Sequence, residues 1–99
     1  MPMLAAPAHP GEVLREEFLS PLRMTAYALA KAIGVTRPRV EELVRERRPM
    51  SADMAQRLAR RFGTSAGFWM ALQTNYDLAE TARECGADYD AIEPLPTAG

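Results

Sequence analysis

Histidine and cysteine each occur once in these 99 residues, as His9 and Cys85. One histidine cannot supply the ligand set of a zinc site. Nor, with Cys85 far along the chain, can it set up the nucleophile and base pair of covalent catalysis. A lone cysteine excludes an internal disulfide and fits a reducing cytoplasm. No apolar run approaches the roughly 20 residues that a membrane span needs. The opening stretch, MPMLAAPAHPG, has neither a basic n-region nor a continuous apolar segment, so a secretory leader is not expected. Sustained period-2 alternation is missing, and with it the signature of a half-buried strand. No internal repeat is visible. Glu16 and Glu17 do not form a carboxylate pair, because adjacent helical residues point to different faces. Neither an enzyme, nor a metal site, nor a cofactor, nor a membrane partner is expected. What remains is binding.

The composition is that of one small globular domain, with 47% hydrophobic and 25% charged residues. Chains this short often complete their burial by dimerising. The formal net charge is only -1, yet the charge is unevenly placed. Between Thr36 and Arg61, eight arginines (37, 39, 45, 47, 48, 57, 60 and 61) face Glu41, Glu42, Glu46 and Asp53, a net of +4. From Asp77 onward six acids face Arg83 alone, a net of -5. A cationic middle and an anionic end point to two different partners.

The apolar residues recur at helical spacing throughout, so the expected fold is all-α with five helices. Residues 1–10, with three prolines, read as a flexible arm, residues 11–86 as the domain, and residues 87–99 as an acidic flexible tail. The first helix is expected over Gly11–Leu19, with Pro21 stopping it. Thr25 caps a second that ends at Gly34, and Thr36 caps a third that Pro49 ends. Ser51 opens a fourth whose core stripe is Met54, Leu58 and Phe62, closed by Gly63. Thr64 or Ser65 opens a fifth, expected to run to Cys85 before Gly86.

The segment TAYALAKAIGVTRPRVEELVRER is a helix, a short turn of Gly34 and Val35, and a second capped helix. That is the layout of a helix-turn-helix, whose second helix enters the DNA major groove by its N-terminus. Free N–H groups and the helix dipole at that end attract phosphate and electronegative base edges. Arg37 and Arg39 lie in the first turn, where a guanidinium can bond guanine O6 and N7 together, and Glu42 can accept from a cytosine amine. Arg45, Arg47 and Arg48 lie at the far end, where phosphate contacts are more natural. The caps Thr25 and Thr36 complete the candidate DNA-binding set.

Four stretches, HPGEVLREEFL (9–19), LAKAIGVTR (29–37), RLARRFGTS (57–65) and FWMALQTNYDL (68–78), resemble the HigA family of antitoxins within the Cro and phage-repressor helix-turn-helix group. The resemblance implies a homodimer that binds a palindromic operator and represses its own operon. It also implies neutralisation of a basic ribonuclease toxin of the HigB or RelE type. Three positions depart from the family pattern. Pro38 stands where relatives often read a base, Ala26 where many place a phosphate-binding glutamine, and Arg45-Glu46 where the third helix often ends in Asn-Gly. Operator sequence therefore does not carry over.

Phe68, Trp69, Leu72 and Tyr76 form an aromatic-rich stripe. Phe68 and Leu72 read as core-closing; Trp69 and Tyr76, with Leu72 beside them, are the candidates for a two-fold interface. Two other readings use the same residues: a stand-alone regulator with no toxin, and a protein-interaction module built on the acidic end.

Overall fold

The computed structural model describes residues 6–96. Five helices follow one another, and no strand occurs among the described residues. Helix α1 is composite, made of Pro10–Val13, a π-helical Leu14–Leu19 and a final Ser20–Leu22. After it come α2 (Ala26–Ile33), α3 (Arg37–Val44), α4 (Ala52–Phe62) and α5 (Ala66–Asp90). No described helix is long and apolar enough to cross a membrane.

Local chemistry explains most of the boundaries. Thr25, Ser51 and Ser65 each have extended backbone and accept the N–H three residues on, from Ala28, Met54 and Phe68 respectively. Gly34 ends α2 at φ 75°, a left-handed conformation that costs glycine nothing.

Helix α1 departs from expectation at both ends. It starts earlier because His9 is its cap: His9 Nδ1 accepts the N–H of Gly11 at 2.9 Å, and Pro10 occupies the first helical position. His9 is only 5% exposed, so the arm expected over 1–10 does not include His9 or Pro10; residues 1–5 lie outside the described residues. Pro21 does not stop the helix. The preceding turn has widened to π-type bonding, with Ser20 N–H reaching Arg15 O, which gives the proline ring room against the turn before it. Arg23, at φ 52°, closes the helix instead.

Helix α5 passes the expected stop. Cys85 leaves helical geometry (φ -124°, ψ 16°), so the Cys85–Gly86 junction is a kink, and the helix continues to Asp90. The segment expected as a tail over 87–99 is thus helical for its first four residues, and residues 97–99 lie outside the described residues. At 1.5 Å per residue α5 is about 37 Å long, which accounts for much of the 54 × 27 × 25 Å shape.

The core joins all five helices. Leu14, Leu29, Val40, Leu43, Leu58 and Trp69 are each at most 1% exposed. Two polar ties fix the frame. Gln73 Oε1 on α5 accepts the N–H of Met50 at 2.6 Å, and Arg15 on α1 donates to the carbonyl of Val44 at the end of α3.

Candidate nucleic-acid interface

Helices α2 and α3 meet across Gly34, Val35 and Thr36, and α3 buries Val40 and Leu43. At 100° per residue those anchors turn Pro38, Glu42 and Arg45 outward, with Arg37 and Arg39 on the two flanks of the outward stripe. The N-terminus of α3 is open to solvent, since Thr36, Arg37 and Pro38 are all exposed.

Thr36 stands at the N-cap with extended backbone, yet its hydroxyl makes no cap bond, contrary to expectation. The reason lies in the next residues. Pro38 has no N–H to offer, and the N–H of Arg39 is taken by the Thr36 carbonyl at 3.2 Å. The Thr36 hydroxyl is therefore free for an external acceptor. Thr25 differs: its oxygen accepts from Ala28, which leaves only its O–H to donate outward.

The arginines fall into three conditions. Arg37 Nε pairs with Glu41 at 2.8 Å, but its side chain is 61% exposed. Arg39 Nη2 lies 3.6 Å from Asp53 of α4, its side chain is 33% exposed, and its Nε is buried without a partner. Arg48 places both Nε and Nη2 on Glu42 Oε1, at 3.0 and 2.7 Å. Glu42 and Arg48, expected to contact base and phosphate separately, thus hold each other. Arg45 and Arg47 are exposed and form no ion pair among the described residues. Exposed pairs of this kind are worth about 0–1 kcal/mol and exchange readily for stronger acceptors.

Two residues outside the expected set organise the interface. Arg57 Nη1 donates to Ile33 O at 2.8 Å, closing the end of α2, while its Nε bonds Asp53 at 2.8 Å. The sequence signal was the i, i+4 spacing of Asp53 and Arg57. Its partner at Ile33, 24 residues away, leaves no local trace. The Arg57 guanidinium holds the Asp53 carboxyl below its ordinary range. Glu46 takes the left-handed position at φ 62° where relatives often carry glycine, and Arg15 Nη2 reaches its carboxylate at 3.4 Å.

The far side of the molecule corrects the interface expected at Trp69. Its ring is 0% exposed, 5.1 Å from Phe18 and 5.0 Å from Phe68, and its Nε1–H donates to Thr64 Oγ1 at 2.8 Å. A side chain so enclosed has no surface to offer a second copy. Phe68, read as core, is the one left 39% exposed. Leu72 and Tyr76 are half-buried, Leu72 against the core and Tyr76 edge-on to His9 at 4.9 Å. Besides Phe68, the large apolar groups α5 presents are Leu78, 62% exposed, and Tyr89, 49% exposed. Among the described residues no cluster of three or more His, Cys, Asp or Glu is placed to hold a metal ion.

This open, cationic helix end can grip a polyanion and read electronegative base edges. A helix-turn-helix family model matches residues 14–69. Virulence-associated protein I of Dichelobacter nodosus is 48% identical over 89 residues, covering 90% of this chain and 82% of its own. Antitoxin HigA-1 of Vibrio cholerae serotype O1 is 35% identical over 89 residues, 90% of this chain and 84% of its own. The solved Pseudomonas aeruginosa antitoxin HigA with higBA promoter superposes with a TM-score of 0.87 at 50% identity, covering 91% of this chain and 99% of that one.

Proposed function

The chain belongs to the HigA family of helix-turn-helix antitoxins, and from that premise we propose that it is a cytoplasmic, homodimeric repressor of its own operon. It binds a palindromic operator and neutralises a basic, HigB-like ribonuclease toxin encoded alongside it. The observation that carries the reading is the N-terminus of α3, where the unspent Thr36 hydroxyl, the 61%-exposed Arg37 side chain and the edge of Arg39 converge. The P. aeruginosa relative, half identical to this chain, was solved with its promoter, which supports DNA as the ligand.

Residues 11–86 act as the DNA-binding domain together with the helix that pairs two copies. Thr36, Arg37, Arg39 and Glu42 approach the groove, Glu42 after exchanging Arg48 for a base. Thr25, Arg45, Arg47 and the released Arg48 contact phosphates. Two copies join along α5 through Leu72, Tyr76 and the exposed Leu78 and Tyr89, setting the two α3 helices about 34 Å apart, one turn of DNA. The acidic end, from Asp77 to Glu93, meets the basic toxin.

A gel shift on the duplex directly upstream of the gene, at two salt concentrations, tests the DNA half. Log K is expected to fall with log salt by about 0.9 per phosphate contact, and a flat response counts against it. Co-expression with the neighbouring small basic reading frame tests the toxin half, which fails if the two proteins do not co-purify.

A further inference from the structure

Asp53, the second residue of α4, stands between two guanidinium groups. Its Oδ2 accepts from Arg57 Nε at 2.8 Å and lies 3.6 Å from Arg39 Nη2. Arg57 is also anchored to Ile33 O, so this carboxylate is fixed relative to the end of α2 and reaches over to the first turn of α3. The two arginines are not equivalent. Arg57 is hydrogen-bonded on both sides, whereas Arg39 touches Asp53 through one nitrogen at long range and has a buried Nε with no acceptor at all. Arg39 thus still has donors to give, and Asp53 is its only ion-pair partner among the described residues.

Arg39 can turn its free donors to a duplex while Nη2 stays beside Asp53, and the carboxylate then sets the plane and direction of the guanidinium. A guanine edge, with O6 and N7 side by side, needs two donors aimed in one direction, so it gains from that setting. A phosphate accepts a guanidinium in many orientations, so it gains little, and the carboxylate repels it. Asp53 therefore favours a base edge over the backbone, by orienting Arg39 for the right partner and penalising the wrong one.

We propose that Asp53 is a specificity-determining positioning residue that acts through Arg39, keeping this arginine from indiscriminate phosphate contact and reserving it for a base edge. The proposal rests on the DNA-binding reading above.

The test uses the full chain with Asp53→Asn, in competition binding on the upstream operator duplex and on an unrelated duplex of equal length. The Asp53 side chain is 56% exposed and Ser51 still caps α4, so the variant should fold, which thermal unfolding checks; Asp53→Ser serves if it does not. The expected result is a tighter grip on the unrelated duplex and a specificity ratio lower by about two- to fivefold, the range of a partly exposed ion pair. The salt slope on the unrelated duplex should steepen by about 0.9, one added phosphate contact. Both changes should vanish in an Arg39→Gln background, and Asp53→Glu should restore most of the ratio. Equal weakening on both duplexes, an unchanged ratio, or the same shift without Arg39 overturns the proposal. A wild-type chain that cannot tell the operator from the unrelated duplex sinks the functional reading itself. Wild-type discrimination with an unchanged ratio in Asp53→Asn sinks only the role of Asp53.

Discussion

Gly11 lies beneath the carbonyl of Leu43, so close that a Cβ built on residue 11 would stand 1.7 Å from that oxygen. The start of α1 is thereby pressed onto the end of α3, the helix that carries the interface. Nearby, Arg15 reaches Val44 O at the end of α3, and Gln73 takes the N–H of Met50 in the segment that leads on to α4.

Gly11→Ala therefore cannot be accommodated without separating the two helices. Overpacking against backbone costs about 1–3 kcal/mol, and in a domain of this size each kcal/mol lowers Tm by about 4–8 °C. Thermal unfolding followed by circular dichroism reads the loss, and an unchanged Tm contradicts the close approach.

His9 gives the fold a pH dependence. Burial lowers its pKa from the ordinary 6.5, outweighing the opposing pull of Glu46, Asp77 and Glu12. Its neutral Nδ1 accepts from Gly11, which a protonated ring could not do. Because the folded pKa is depressed, the unfolded chain takes up the proton first. The His9 contribution is whole above pH 6.5 and is lost as pH falls through the folded value. Urea unfolding at pH 7.5 and 5.0 should show a larger drop for wild type than for His9→Asn; equal drops refute the assignment.

Trp69 and the outer face of α5 should separate cleanly. Trp69→Ala removes a fully buried ring and its bond to Thr64, at about 3–5 kcal/mol, out of a total of about 5–15. The double variant Leu78→Ala/Tyr89→Ala removes only exposed surface, and should leave the fold intact while shifting the chain toward monomer in light scattering. A dimer unmoved by that pair places the two-fold seam elsewhere.

Much of this arrangement was legible in the sequence because capping is local. Thr25, Ser51, Ser65 and Gly34 each declare a helix boundary within four residues of themselves, and each does so in the structure. What escaped was decided across the chain. Trp69 and Phe68 are adjacent and equally apolar, so which of them turns inward depends on Phe18 and Thr64 rather than on either residue. Pro21 reads as a stop until the π-turn before it is known. Thr36 reads as a complete cap, although the N–H of Arg39 three residues on is taken by the Thr36 carbonyl and Pro38 has none to offer. The arginines were visible as a charge run, but their pairing with Glu41, Glu42 and Asp53 depends on how α3 and α4 are set.

Arg47, exposed and without an ion pair among the described residues, fits a phosphate contact that carries no sequence information. Arg47→Ala should weaken operator and unrelated DNA by similar factors and reduce the magnitude of the salt slope by about 0.9. Equilibrium titration at several salt concentrations measures both, and a loss confined to the operator contradicts the assignment.

Arg37→Ala tests most directly whether the exposed N-terminal end of α3 reads the major groove. Its affinity should be measured on the upstream operator and on an unrelated duplex at one fixed salt concentration. A loss of about 1–3 kcal/mol is expected on the operator, with a much smaller loss on the unrelated duplex. Equal losses on both, or no loss on either, would contradict that reading.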